Sequence, residues 1–338
     1  MSRNGGIEQN KGQMAEEMLR NYFLAAGYFV VRGIPYTYQG FTVTDVDLWL
    51  YNKPSAITRE RLIVDIKSKK TPQALERIFW TLGLTEVLGL DGGVVVTSDY
   101  RKTVSDYGSS CGVVVLDGNF QKRLTQNKSI QLDRLSDEDI RKAISDESPS
   151  PREWKAKYDE NKSRLLSKMS FDGCNQYLED IYYWLGQLVL FPKQKELCTR
   201  LMYYTIACFL VCVDFVTRNI ILQEQEFRKE FLINGFRYGV NGESKIRGIV
   251  NLLQSMGEGG LFDQMPSFES EVSQQSEAIR AEMLAEFFST TTNHARRFEM
   301  LAFGKTFMAP STLNREIKSI IGLICDFHSF DRKHILAN

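Results

Sequence analysis

The sequence predicts an α/β domain with the element order αβββαβαβ, followed by an all-α domain. Helical and extended patterns alternate up to about residue 124. Within that stretch, Gly92–Ser98 and Gly112–Asp117 are continuous apolar runs, as expected of strands covered on both faces. From about residue 152 onward helical spacing dominates.

The elements follow in order. Met14, Ala15, Met18, Leu19, Tyr22, Phe23 and Ala26 recur at helical spacing, with Gly27 placed to end that helix. A strand is expected at Tyr28 to Arg32. Two more, Thr42 to Tyr51 and Arg61 to Lys67, are rich in β-branched and aromatic residues and are separated by the turn Asn52-Lys53-Pro54-Ser55, which makes a meander. Thr71-Pro72 is expected to open a helix, with Thr71 as N-cap and Leu75, Ile78, Phe79 and Leu82 as its apolar face. A short helix near Tyr100 to Ser109 separates the two apolar strands. Ser136-Asp137-Glu138-Asp139 caps a further helix, and Glu147-Ser148-Pro149-Ser150-Pro151 reads as a linker. The expected division is a first domain over 1–130, a helix and linker over 131–151, and a helical domain over 152–338.

Composition bounds the function. The 338 residues carry 42 basic and 42 acidic side chains, with 43% hydrophobic and 25% charged residues and a mean hydropathy of −0.27. These are the values of a globular chain, not of a disordered or collagen-like one. Zero net charge excludes a chain-wide basic coat, so nucleic-acid binding would need a local patch. Residues 1–130 hold 16 lysines and arginines against 13 aspartates and glutamates, a surplus of about three positive charges. Six cysteines (Cys111, Cys174, Cys198, Cys208, Cys212 and Cys325) form no Cys-x-x-Cys pair, and none stands at metal-finger spacing from the three histidines. A reducing cytoplasm is the simplest setting, and the polar start Met1-Ser2-Arg3-Asn4-Gly5-Gly6 lacks the apolar run of a signal peptide. Leu201 to Val213 is the most apolar segment, roughly 13 residues where a membrane span needs about 20, and reads as a buried helix with no membrane partner.

The residues that carry chemistry lie on the meander. Asp47 falls near the end of one strand, while Asp65 and Lys67 lie two apart on the next and therefore share a face. Two adjacent strands can then present two carboxylates and an ammonium at one spot. Carboxylates are natural ligands of Mg²⁺, with Mn²⁺ as an alternative. The lysine can orient water or stabilise charge developing on phosphorus. The set suits metal-assisted hydrolysis of a phosphodiester. An acid-x-lysine tripeptide alone says little, since Glu153-Trp154-Lys155, Glu160-Asn161-Lys162, Glu243-Ser244-Lys245, Glu316-Ile317-Lys318 and Asp331-Arg332-Lys333 also occur. Only the Asp65 copy sits in a β-run that follows another β-run ending in an aspartate.

With Gly12-x-x-x-Glu16, Gly27-Tyr28, Asp45-Val46-Asp47, Asp65-Ile66-Lys67 and Gly92-Gly93-Val94-Val95-Val96-Thr97, residues from about 11 to 124 resemble the PD-(D/E)xK, or restriction-endonuclease-like, nuclease superfamily, nearest to its Mrr-type and Holliday-junction-resolvase-type members. The resemblance covers about a third of the chain. It implies a restriction-endonuclease-like core with a mixed sheet, Asp47, Asp65 and Lys67 as catalytic residues, a divalent metal, and a nucleic-acid backbone as substrate. The second motif usually reads proline-aspartate; here Val46 precedes Asp47. The helix glutamate is chosen between Glu16 and Glu17. Glu16 lies on the inward flank of the apolar stripe and matches the family spacing, so it is the expected metal ligand, direct or through water, whereas Glu17 shares a face with Arg20 and Asn21. Asp45 is expected to be structural or outward-facing, with accessory ligation as its other reading. Lys69, Lys70 and Gln73 are candidate phosphate or nucleic-acid contacts.

The remaining candidates are assigned to structure. Cys208 and Cys212 are expected in the core, His294-Ala295-Arg296-Arg297 on a solvated helix face, and the aromatic stripe Tyr177, Tyr182, Tyr183 and Trp184 in packing. The expected function is a Mg²⁺-dependent endonuclease acting on DNA in preference to RNA. By family analogy it would be a homodimeric or larger bacterial restriction or anti-phage defence effector, with the helical domain as the place for oligomerisation, partner docking or target recognition. The exposed-looking Gly259-Gly260-Leu261-Phe262 fits such docking. The alternative is a nuclease-fold nucleic-acid-binding or sensing module that acts through a partner protein.

Overall fold

The computed structural model describes residues 11–67, 73–126, 133–242, 245 and 281–336. Contacts divide the chain into two compact units, 1–167 with 303–305, and 168–302 with 306–338. The first is α/β and the second is helical. In chain order the first unit runs α1 (Lys11–Ala25), β1 (Phe29–Tyr38), β2 (Phe41–Asn52), β3 (Glu60–Lys67), α2 (Ala74–Val87), β4 (Gly92–Thr97), α3 (Lys102–Ser110), β5 (Val113–Leu116), α4 (Gly118–Gln126), α5 (Asp137–Glu147) and α6 (Pro151–Ser167). The αβββαβαβ order expected from the sequence is present, with α4 to α6 added after it.

Gly27 ends α1 as expected. Its φ of 101° lets its N–H donate to Leu24 (3.1 Å) while the Tyr28 N–H reaches back to Phe23 (3.0 Å), a Schellman closure that turns the chain into β1. The five strands lie in sequence order in one mixed sheet: β1–β2 and β2–β3 are antiparallel, β3–β4 and β4–β5 parallel. One face packs Leu48, Leu50, Val64, Val94 and Val96 against Leu19, Phe23 and Leu24 of α1. The other packs Val95 and Val113 against Ala74 and Ile78 of α2 and Val104 of α3.

Several expectations are corrected. The first strand does not stop at Arg32: β1 continues through Pro35, tolerated on an edge strand, to a two-residue turn at Gln39-Gly40 whose residues both take positive φ. Thr71 and Pro72 lie outside the described residues, and the described helix begins at Ala74 with Gln73 in the N-cap position. Its buried positions are Ala74, Ile78 and Thr81, while Leu75 and Phe79 face solvent. Ile78 and Leu82 pack inward as expected; the helix comes close to β4 at Thr81, where a Cβ on Gly93 would stand 2.3 Å from the Thr81 Cγ2.

The expected boundary at 130 and linker to 151 also give way. Ser136 caps α5 in a reciprocal capping box with Asp139, as the sequence suggests. Pro151, however, is the first residue of α6, a position that suits a residue without an N–H. Helix α6 buries Trp154, Tyr158, Leu165 and Leu166 and packs on β1, so it belongs to the α/β unit.

In the second unit, α7 (Phe171–Leu190) packs along α8 (Lys195–Val216), followed by α9 (Gln225–Tyr238) and the helices Ala281–Phe303, Arg315–Phe327 and Lys333–Leu336. The segment Pro192–Val216 is long and apolar enough to cross a bilayer, but 83% of its most apolar window is buried inside the protein, as for a core helix. Cys208 and Cys212 are core residues, and all six cysteines are free. Tyr177 and Trp184 are buried, whereas Tyr182 is exposed and stacks on His328. His294 departs from expectation: it is buried and bonded to Glu316 (2.7 Å), which Arg297 also holds. Gly259 to Phe262 lie outside the described residues.

Candidate active site

Strands β2 and β3 are paired from Asn52↔Glu60 to Leu48↔Val64, and there the ladder stops. Beyond this point β2 stays with β1, while β3 stays with β4 through Asp65↔Val95 and Lys67↔Thr97. Asp47 sits in the opening of this fork. Its Oδ2 accepts the Ile66 N–H at 2.7 Å, so a side chain satisfies an amide that the ladder has released. Aspartate suits this place because its short carboxylate reaches a neighbouring backbone that a paired strand residue would not need.

Alternation sets the rest. Leu48, Leu50, Leu62, Val64 and Ile66 belong to the core beneath α1, so Asp65 and Lys67 project from the opposite face, the one α2 covers. There Asp65 is held by Arg77 of α2: Nε donates to Oδ2 at 2.6 Å and Nη2 donates to Oδ1. The pair is half-hidden, with side-chain exposures of 12% for Asp65 and 22% for Arg77. Asp47, in the gap, feels charges from both sides. Burial raises its pKa, opposed by the Ile66 N–H and by Lys67, Arg77 and Arg32. Burial likewise lowers the Arg77 pKa, and Asp47 opposes that.

Glu16 approaches from α1, on the other face. Its carboxylate accepts from Arg32 Nε (2.8 Å), and its pKa is raised by burial in spite of Arg32, with Asp47 and Glu138 adding to the rise. It therefore lies near enough to Asp47 to interact electrostatically but is bonded to an arginine, not gathered onto Asp65. Glu17 shares a face with Arg20, as expected, and is bonded to it. It is the more buried of the two, accepts from Arg32 (2.8 Å), Arg20 (3.3 Å) and the Asp137 N–H (3.2 Å), and its carboxyl is held below the usual range although burial pushes the other way. Glu17 is a structural anchor. Arg32, which also binds Glu138 at 2.7 Å, is its hub.

Asp45 is exposed on the hairpin beyond the fork, and its carbonyl accepts a bond from the Thr44 hydroxyl. Lys69 and Lys70 lie outside the described residues. Gln73 is exposed, and its carbonyl accepts the Arg77 N–H (3.0 Å), placing it one helical turn before Arg77. Sequence reasoning missed Arg77 and Arg32. The available signals were an arginine four residues after Gln73 at the start of a helix that follows Lys67, and an arginine inside an apolar strand.

Among the described residues, no group of three His, Cys, Asp or Glu side chains stands close enough to hold one metal ion. The donors that could serve are Asp47 and Asp65, hard oxygen ligands of the kind Mg²⁺ takes one or two of, completing its shell with water and phosphate. The guanidinium already on Asp65 shows that this carboxylate accommodates a cation. The donor set therefore fits a two-carboxylate site, without Glu16 as a direct third ligand in this arrangement.

Against this geometry stand the comparisons with known proteins: no protein-family model, no curated protein and no solved structure matches the chain. The fold defines an α/β protein built on a five-stranded mixed sheet with a helical C-terminal region.

Proposed function

We propose that the α/β unit is a metal-dependent nuclease of the PD-(D/E)xK kind, hydrolysing phosphodiester bonds of DNA. The observation that carries this reading is the fork, where Asp47 fills the gap as β3 presents Asp65 and Lys67 on one face. Asp47 and Asp65 would hold the ion, and a bound Mg²⁺ or Mn²⁺ would supply Lewis-acid stabilisation of the phosphate and an acidified water. Lys67 carries three N–H donors two residues from Asp65 and is placed to orient a water or to receive negative charge developing on a phosphate oxygen. Glu16 acts from the other side of the gap on the charge of Asp47. The test is cleavage of duplex DNA, single-stranded DNA and RNA with Mg²⁺ and with chelator. Mg²⁺-dependent cleavage, strongest on DNA, is expected; its absence on every substrate contradicts the reading.

One observation favours a second reading. Asp65 is paired with Arg77 and Glu16 with Arg32, so both carboxylates already have an internal cation as partner. A module that binds or senses nucleic acid without turnover, acting through a partner, fits that pairing. Metal-independent binding without cleavage in the same assay would select it. A nuclease joined to a helical unit also fits a homo-oligomeric restriction or anti-phage effector whose activity a partner restrains; this part of the proposal rests on family analogy.

A further inference from the structure

We propose that Arg77 is a built-in competitor for the divalent cation at Asp65, so that metal loading at the fork requires the guanidinium to leave that carboxylate. The proposal rests on the nuclease reading and adds to it a residue and a condition for activity.

Both oxygens of Asp65 are engaged by Arg77 in a two-pronged pair, and those lone pairs are the ones a metal ion would use. On the face of the fork the charges are already matched: Asp47 and Asp65 face Lys67 and Arg77. A dication added to that balanced set would meet two nearby positive side chains, and the repulsion eases only if one withdraws. Lys67 is on β3 itself. Arg77 is the movable one, a long side chain on the second turn of α2 with a further resting place, since its guanidinium already lies 5.6 Å from the Trp80 ring centre. The helix and the strand need not shift, because side-chain rotation alone breaks the pair.

Mn²⁺ binding to the full chain, read from the paramagnetic resonance signal of free Mn²⁺, tests this in wild type, Arg77→Gln, Arg77→Lys and the double variant Asp47→Asn/Asp65→Asn, each checked for folding by circular dichroism. Arg77→Gln should bind about tenfold more tightly than wild type. Arg77→Lys, which keeps the charge but not the fork, should fall between them. Equal or weaker binding by Arg77→Gln, with binding lost in the double variant, overturns the competitor and leaves the metal site standing. Wild-type and Arg77→Gln binding no tighter than that of the double variant overturns both. A second readout uses Trp80, which is 45% exposed while Trp49, Trp154 and Trp184 are fully buried. Mg²⁺ should shift its emission in wild type and not in Arg77→Gln, and an unmoved wild-type spectrum at saturating metal also contradicts the proposal.

Discussion

Asp137 and Lys162 form an ion pair sealed inside the α/β unit, with Lys162 only 1% exposed. The lysine Nζ also donates to the Arg32 carbonyl (2.9 Å), and the Asp137 carboxylate accepts from Tyr158 (2.6 Å) and Arg141 (2.7 Å). This pair joins α5 to α6 and ties both to the strand that carries Arg32, whose side chain holds Glu16. Burial favours neutral forms of both partners, yet the Lys162 and Arg141 charges keep Asp137 far below the usual carboxylate range.

Removing one partner strands the other. Lys162→Met should therefore cost about 3–5 kcal/mol, and the double variant Asp137→Asn/Lys162→Met should cost less than the single lysine change. Urea denaturation measures both. A Lys162→Met loss below about 1 kcal/mol would show that the pair is not desolvated as described.

The acids of this unit oppose one another in their response to pH. Asp137 has a depressed folded pKa, so its contribution is present above its unfolded value and lost as pH falls towards the folded one. Asp47 has a raised folded pKa, so its contribution is full below its unfolded value and is lost as pH rises through the folded one. Asp47→Asn keeps an oxygen for the Ile66 N–H and removes the burdened charge. At neutral pH it should be as stable as wild type or more so, by an amount on the order of 1 kcal/mol, while losing metal-dependent cleavage. The stability gain should shrink as pH falls through the raised folded pKa of Asp47, where the wild-type carboxyl becomes neutral as well. Thermal melts at pH 4 and pH 7 check the sign.

Close packing of α2 on β4 gives a contrast between neighbours. Gly93→Ala places a methyl against Thr81 Cγ2 at 2.3 Å and should cost about 1–3 kcal/mol. Gly92→Ala meets only the end of the Leu62 side chain, at 3.1 Å, which can yield, so the cost should be smaller. Equal melting shifts for the two would argue against the helix position.

Much of this was legible in the sequence, and the reasons differ by residue. Asp47, Asp65 and Lys67 could be placed because strands alternate and neighbouring β-runs pair, so spacing alone puts them at one strand end. Gly27 could be placed because a glycine after a helical stripe has one common use. The tip of the β1–β2 hairpin was not legible, since Tyr38, Phe41 and Val43 are all exposed and the alternation that marks a half-buried strand is missing. Helix α6 was expected as helix from about residue 152, but Pro149 and Pro151 read as a linker, which hid its start at Pro151 and its place in the α/β unit. Lys162 looks like a solvated charge in any local window, and only its contact with Arg32, 130 residues away in sequence, shows it buried; Arg32 stood out as an arginine in an apolar strand, but its partners Glu16, Glu17 and Glu138 come from two helices. Arg77 was missed because its partner Asp65, 12 residues earlier, is reached only once α2 folds back over β3.

The central claim is that Asp65 and Lys67 at the fork carry a metal-dependent hydrolysis. Its most direct test is DNA cleavage in Mg²⁺ by wild type, Asp65→Ala and Lys67→Ala, with folding verified for each. The account predicts Mg²⁺-dependent cleavage by wild type and none by either variant, with unfolding midpoints that still report a folded unit. Cleavage retained by a folded Asp65→Ala protein would contradict it.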